Sequence, residues 1–311
     1  FYIFNLFKAL SHFKKSKLSI NGGGSLMQDV TSSRSLWFYL WTLRAAKHHG
    51  CPVLMYGCGI GPIRNSGNRA RAARIINRYV YEITLRDPNS LKELESMGIT
   101  NPKITLAADT TVILPAASKE VVDGILESRG LAADGSYVCF ALRPWHNFEE
   151  KVGEIAAAAD YVYEKHGMLP VFFPLEPRLD LEASKLAISR LKAPCHLITD
   201  AYPAEQTIGL LSRMKAVVSM RLHGLIFSAG QGVPLVGIVY DQKVSSFLSY
   251  IGQDLYEDLS TLTEEKLEHL IDQALERGTD PDFLSERMAV IHEMEAVNRQ
   301  IVEPYVKTAR E

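Results

Sequence analysis

An α/β protein with parallel sheets in two domains is what this sequence predicts, and three observations carry the prediction. Short apolar runs at 17–20, 53–56, 82–85, 103–106, 137–142, 169–173, 196–198, 216–219 and 234–239 alternate with helical patterns at 33–49, 67–80, 88–97, 118–129, 147–166, 178–192, 203–213, 222–231 and 242–251. Alternation of this kind reads as βαβ units, whose ligand loops gather at the carboxyl ends of the strands. The length, 311 residues, suits two domains at roughly 100–200 residues each. Hydrophobic residues make up 47% and charged residues 23%, enough to build a core in each and too apolar for a disordered or collagen-like chain.

The charge balance narrows the function classes. Lys and Arg total 34 against 36 Asp and Glu, a formal net charge of −2. A general nucleic-acid binder would carry a strong basic excess. Four cysteines (Cys51, Cys58, Cys139, Cys195) show neither a CxxC pair nor zinc-finger spacing to His, and read as core thiols of a reducing compartment. No apolar run reaches the roughly 18–20 residues needed to span a bilayer. A cytoplasmic protein is therefore expected.

At the front of the chain, Phe1, Ile3, Phe4, Phe7, Leu10 and Phe13 form an apolar face followed by Lys14, Lys15 and Lys17. Such a basic-ended amphipathic segment suits peripheral contact with a membrane surface, but an ordinary lobe helix with a solvated lysine turn is the preferred reading. The first residue is Phe, so a first strand and loop are expected to be missing ahead of it.

The first strand runs into Asn21-Gly22-Gly23-Gly24-Ser25, a turn whose glycines let backbone N–H groups approach a ligand closely. Gln28, Asp29, Thr31 and Ser32 follow and offer acceptors as well as donors, which suits a sugar diol better than a phosphate. After the second strand comes Gly57-Cys58-Gly59-Ile60-Gly61-Pro62, whose third glycine arrives one position too early for the dinucleotide fingerprint. NAD is therefore excluded on sequence grounds. Arg86-Asp87-Pro88 ends the third strand; Asp87 reads as a helix N-cap with Pro at the first helical position, while Arg86 and Asp109 are open to ligand or structural roles.

Pro115, Gly130 and Asp134-Gly135 mark a boundary. We expect a first lobe over 1–130, a second over 131–261, and a helical tail over 262–311 that packs back across the lobes and holds no strand. Arg143 closes the strand 137–142, well placed to meet an anion, with an ion pair as the plain alternative. The sharpest element is Ser219-Met220-Arg221-Leu222-His223-Gly224, where a strand passes at once into a helix. A helix N-terminus favours anions, an Arg adds a permanent cation, and a His can supply a proton. Tyr240-Asp241-Gln242-Lys243 follows the next strand, with Lys243 a further candidate cation.

Taken together, NGGGSLMQDVTS at 21–32, YGCGIGP at 56–62, TLRD at 84–87, ALRP at 141–144 and SMRLHGLIFSAGQGVPLVGIVYDQKVSSF at 219–247 resemble the polysaccharide pyruvyl transferase family, of the bacterial cell-surface anchoring type. The resemblance runs across nearly the whole chain. It implies two Rossmann-like lobes of the glycosyltransferase-B kind, with Arg143, Arg221, Leu222 and His223 at the essential positions. It also implies transfer of pyruvate from phosphoenolpyruvate onto two hydroxyls of one sugar as a cyclic ketal. The acceptor it implies is ManNAc in a lipid-linked secondary cell-wall intermediate, met on its 4- and 6-hydroxyls at the inner face of the membrane.

On this reading Arg143, Arg221, Leu222 and Lys243 bind the donor, His223 and Arg221 carry the chemistry, and Gly22, Gly23, Gly24, Asp29 and Arg86 hold the acceptor in the first lobe. No redox cofactor and no metal is called for. Two rivals remain open from sequence: a nucleotide-sugar glycosyltransferase or epimerase on the same scaffold, and a glycan-binding module without turnover.

Overall fold

The computed structural model describes residues 10–307, which form two compact units. The first takes the chain up to Thr110 together with the segment from His292 onward, and the second takes Thr111–Ile291.

In the first unit, β1 (Ser19–Gly22), β2 (Val53–Cys58), β3 (Glu82–Leu85) and β4 (Lys103–Leu106) lie parallel in chain order. Helices α1 (Ser33–His48), α2 (Ser66–Tyr79) and α3 (Pro88–Ser96) connect them. Each helix starts where a polar side chain can take over an orphan N–H. Ser32 accepts from Arg34, Asn65 from Asn68, and Asp87 from Ser90, with Pro88 at the first helical position as expected. Leu36, Leu40 and Leu43, spaced by helical turns on α1, pack with Val53 and Met55 of β2 and with Ile76 and Ile83. Phe13 packs against the same core, which favours the ordinary-helix reading for its stretch. Phe1, Ile3, Phe4 and Phe7, the rest of the apolar face considered for membrane contact, lie outside the described residues.

The second unit contains α4 (Lys119–Ser128), β5 (Tyr137–Ala141), α5 (Phe148–His166), β6 (Leu169–Phe172), α6 (Pro177–Ile188), β7 (His196–Leu197), α7 (Ala204–Leu211), β8 (Ala216–Ser219), α8 (Leu222–Gly230), β9 (Leu235–Val239), α9 (Gln242–Tyr250), β10 (Tyr256–Asp258) and α10 (Glu264–Arg277). Helix α11 (Pro281–Lys307) begins there, and its residues from His292 group with the first unit. All six strands are parallel in the order β10-β9-β8-β5-β6-β7. The chain enters at the middle, winds outward one way, then returns to wind the other way. The order therefore reverses between β5 and β8, where doubly wound sheets bind their ligands.

Alternate side chains of β5 serve different cores, as a pleated strand dictates. Val138 and Phe140 face α5, α6 and α10, while Tyr137, Cys139 and Ala141 face α4 and α7. Burial on both sides explains why this strand reads as a continuous apolar run.

Three sequence expectations differ from this architecture. The units divide after Thr110, ahead of the expected boundary at 130, because Val122 and Leu126 of α4 bury in the second core. The tail beyond 262 is not one element. Leu267, Ile271 and Ala274 of α10 belong to the second core, and only the segment from His292 groups with the first unit. Strand β10 was not foreseen, because Tyr256-Glu257-Asp258 is a short edge strand with no apolar alternation.

Candidate active site

The register of β5 and β8 pairs Ala141 with Ser219. Two residues beyond each stands an arginine, Arg143 on one strand and Arg221 on the other. Neighbouring parallel strands lie about 4.8 Å apart, so the ladder itself delivers both cations to the switch point.

Arg143 sits in an aromatic frame. Its Nη1 donates to the Tyr240 hydroxyl at 2.7 Å, and its guanidinium carbon lies 4.7 Å from the Tyr240 ring centroid and 5.4 Å from that of Trp145. The two rings meet edge to face at 4.7 Å. Such contacts restrain a guanidinium without neutralising it. Its Nε is buried with no hydrogen-bond partner among the described residues, a donor still to be satisfied. Lys243 brings its Nζ to 5.4 Å from the Tyr240 centroid, and Asp241 caps α9 through the Lys243 N–H. Tyr240 is thus the hub that joins two of the expected cations, Arg143 and Lys243.

Arg221 is held differently. Its Nε donates to Asp180 Oδ2 at 2.8 Å and its Nη2 to Oδ1, while the same carboxylate accepts the Glu176 N–H at 3.0 Å. The Asp180 side chain is fully buried and that of Arg221 is 19% exposed. This changes the expectation of a guanidinium whose whole fork meets the donor: one edge is committed to Asp180, and Nη1 with the outer edge of Nη2 remains for a ligand. Sequence reading missed Asp180. Its signal was an acid on the apolar face of α6, in line with Ala183 and Ala187, which bury beside it.

Helix α8 begins directly after Arg221 and has no side-chain cap. Leu222 is buried, so its side chain belongs to the core and only its backbone can meet a donor. His223 is exposed, with its ring 5.7 Å from that of Phe227 one turn later. Gly224 is required by packing: a Cβ there would stand 2.7 Å from Ser219 Oγ and 3.0 Å from Leu175 Cδ1. Ser219 Oγ in turn accepts the Arg221 N–H and donates to the Arg221 carbonyl, fixing the strand-to-helix corner.

In the first unit the expected acceptor residues are tied into the scaffold. Gly22 lies so close to β2 that a Cβ would reach 2.5 Å from the Tyr56 carbonyl oxygen, and Gly23 and Gly24 adopt φ of +77° and +59°. The turn is pinned by Gly23 N–H to Tyr56 and by Gly59 N–H to the Gly24 carbonyl. Asp29 is held by three donors. Its carboxylate accepts the N–H groups of Arg64 and Asn65 and the Asn68 amide, at 2.7, 3.0 and 2.9 Å. Desolvation pushes its pKa up, but these donors and the Arg64 charge outweigh it and hold the carboxyl below its ordinary value. The residue binds the turn to the start of α2.

Arg86 and Asp109, both left open by the sequence, answer one another. They form a buried ion pair at 2.6 Å, and Arg86 also donates to Ser25 Oγ at 3.1 Å. Gly59 makes room for that guanidinium, since a Cβ would fall 2.9 Å from Arg86 Nε. Arg86 therefore ties the two glycine turns together through Ser25 and Gly59.

The polysaccharide pyruvyl transferase family model matches residues 2–242. The chain belongs to that family. A curated relative, the amylovoran biosynthesis protein AmsJ of Erwinia amylovora, is 22% identical over 262 residues, covering 79% of this chain. The match spans 62% of that longer relative.

Among solved structures, Anabaena HepE in complex with UDP-glucose superposes with a TM-score of 0.62 at 12% identity, covering 96% of this chain and 81% of that one. The UDP-GlcNAc 2-epimerase of Methanocaldococcus jannaschii gives 0.63 at 13% identity, covering 94% and 81%. At such identities the likeness is one of fold: this family member shares the GT-B-like fold of these structures.

Proposed function

We propose that the chain is a ketal pyruvyl transferase that moves pyruvate from phosphoenolpyruvate onto two hydroxyls of one sugar, releasing phosphate. The observation that carries this reading is Arg143: a cation at the switch point, framed by Trp145 and Tyr240, with its buried Nε lacking a hydrogen-bond partner among the described residues. Family membership supplies the reaction class. A donor bearing both a carboxylate and a phosphate calls for more than one cation, and Arg143, the free edge of Arg221 and Lys243 provide them.

In this mechanism His223 delivers a proton to the methylene carbon of the donor, which becomes a methyl group and leaves C2 electrophilic. One sugar hydroxyl adds to C2. The C2–O bond to phosphate then breaks, and the second hydroxyl closes the ring. The diol gives up two protons; one balances that placed on carbon and the other leaves with phosphate. The bonds are exchanged without oxidation or reduction.

The acceptor is assigned to the first unit, at the Gly22–Gly24 turn with Ser25, and its resemblance-derived identity is ManNAc on its 4- and 6-hydroxyls in a lipid-linked precursor. That precursor would be met on the cytoplasmic side of a membrane; no helix among the described residues is long and apolar enough to cross one.

Phosphate release from phosphoenolpyruvate, assayed over a panel of sugar acceptors with and without UDP-sugars, tests the reading. Acceptor-dependent release that is lost in Arg143→Gln supports it. Consumption of a UDP-sugar with phosphoenolpyruvate untouched overturns it, as does glycan binding with no turnover of any donor.

A further inference from the structure

The second unit contains a cavity of about 510 Å³ lined by Ser249, Gly252, Gln253, Asp254, Tyr256, Arg277, Phe283 and Arg287. It is remote from the switch point. Gly252, Gln253 and Asp254 precede β10, so they lie at the amino end of the sheet, whereas Arg143 and Arg221 follow the carboxyl ends of β5 and β8. A five-residue strand rises roughly 3.3 Å per residue, which separates the two ends by on the order of 15 Å.

The lining is built around two guanidinium groups. Arg277 and Arg287 bring their guanidinium carbons to 5.6 and 5.4 Å from the Phe283 ring centroid, a contact that orients them and leaves the charge intact. Arg277 donates to Asp254 Oδ1 at 2.7 Å. Asp254 itself is largely exposed, so this pair is weakened by solvent. Arg287 has no such carboxylate partner among the described residues, and its Nε is buried with no hydrogen bond. The close fit is shaped by Gly252, where a Cβ would stand 2.7 Å from Arg287 Nη1. The Ser249 and Tyr256 hydroxyls, 3.3 Å apart, add two more polar groups to the wall.

Two cations against one carboxylate leave the wall with a surplus positive charge, a surplus of donors and one unsatisfied buried N–H. We propose that this cavity is a second anion site, which binds a small oxyanion, either a phosphate group or a carboxylate carried on a sugar, through Arg287 and the free edge of Arg277. The site stands apart from the proposed transfer reaction and does not depend on it.

Thermal unfolding of the whole chain at fixed ionic strength reads this site, with inorganic phosphate, methyl glucuronide and neutral methyl glucoside as probes. A saturable rise in Tm is expected with phosphate or with the glucuronide, and the arm that responds names the oxyanion; methyl glucoside gives none. In Arg287→Gln or Arg277→Gln the half-saturating concentration should increase about tenfold or more, the loss of a charge-assisted hydrogen bond. In Arg143→Gln the response persists. A response unchanged in both cavity variants, lost in Arg143→Gln, or absent altogether overturns the proposal. Should the cavity variants fail to fold, phenylglyoxal labelling of the unsubstituted chain decides: slower modification of Arg287 in the presence of the anion supports the site, and an unchanged rate refutes it.

Discussion

Arg221 reaches the switch point already clamped: Asp180, wholly buried on α6, takes its Nε at 2.8 Å and also accepts from Nη2. A permanent cation pinned along one edge has few rotamers left, so the other edge is presented to a ligand in one orientation. In the proposed donor site the carboxylate would act only through the arginine, which makes Asp180 a positioning residue.

Asp180→Asn should therefore raise the KM for phosphoenolpyruvate with a smaller change in kcat. Asp180→Ala removes one partner of a buried pair, a change that typically costs 3–5 kcal/mol, reduced here because Arg221 is partly open to water (about 2–3 kcal/mol). Steady-state kinetics on the Asn variant beside urea unfolding of both checks this. An unaltered KM with a stability loss alone would make the pair purely structural.

His223 and Arg221 should separate kinetically. Removing a general acid typically lowers the rate by on the order of 10²–10⁴-fold, so His223→Gln should lose kcat while the donor still binds. Arg221→Lys keeps the charge and loses the fork, and should weaken donor binding by roughly 1.5–3 kcal/mol. Calorimetric titration of phosphoenolpyruvate into both variants measures the second effect. Near wild-type turnover in His223→Gln would remove the histidine from the mechanism.

Asp29 predicts an acid-side loss of stability. Its carboxyl is held below the ordinary value in the folded chain, so folding favours the ionised form. That contribution is present above the unfolded pKa and disappears as pH falls through the folded one. Asp29→Asn should lower Tm at neutral pH and flatten the acid limb of the Tm–pH curve. If Asp29 is a tether alone, the substitution should leave the KM values of the two substrates in unchanged proportion; a rise confined to the acceptor would give it a ligand role as well.

Glu295 predicts the opposite sign. Burial pushes its pKa up, although Arg299 and Asn298 pull it down, so the folded chain holds the proton more tightly than the unfolded chain. The stability this group contributes is full below the unfolded pKa and is lost as pH rises through the folded value. Glu295→Gln should remove that loss and make Tm less dependent on pH between mildly acidic and neutral conditions. A Tm–pH curve parallel to the wild type would contradict it.

Much of the geometry of the second unit's candidate site was legible because strand ends and helix starts write themselves locally. Ser-Met-Arg-Leu-His-Gly states in six residues that a strand stops, a cation follows and a helix begins close to the strand. Asp180 was not legible, since its partner is 41 residues away in the chain and only the crossover brings them together. Arg86 and Asp109 were each visible as ambiguous strand-end charges, but nothing local announces that two such charges will neutralise one another across neighbouring strands. The tether made by Asp29 was hidden for a related reason: an acid after a glycine turn suits a diol, and equally suits the bare N–H groups where α2 begins. The unit boundary escaped because α4 is defined by the core it joins, and a Gly–Asp-Gly break is a turn signal whether or not a domain ends there.

The pairing of Ala141 with Ser219 has a consequence for how this protein can change over generations. The spacing of Arg143 and Arg221 is inherited from a hydrogen-bond ladder at the centre of a sheet, buried on both faces, where a slip by one residue would turn every side chain to the wrong side. Insertions and deletions in the segments after Pro144 or around the first-unit turns leave that ladder untouched. The spacing of the two arginines is therefore free of the drift that reshapes loops, so that descendants can change the loops around the switch point while the two cations keep their register.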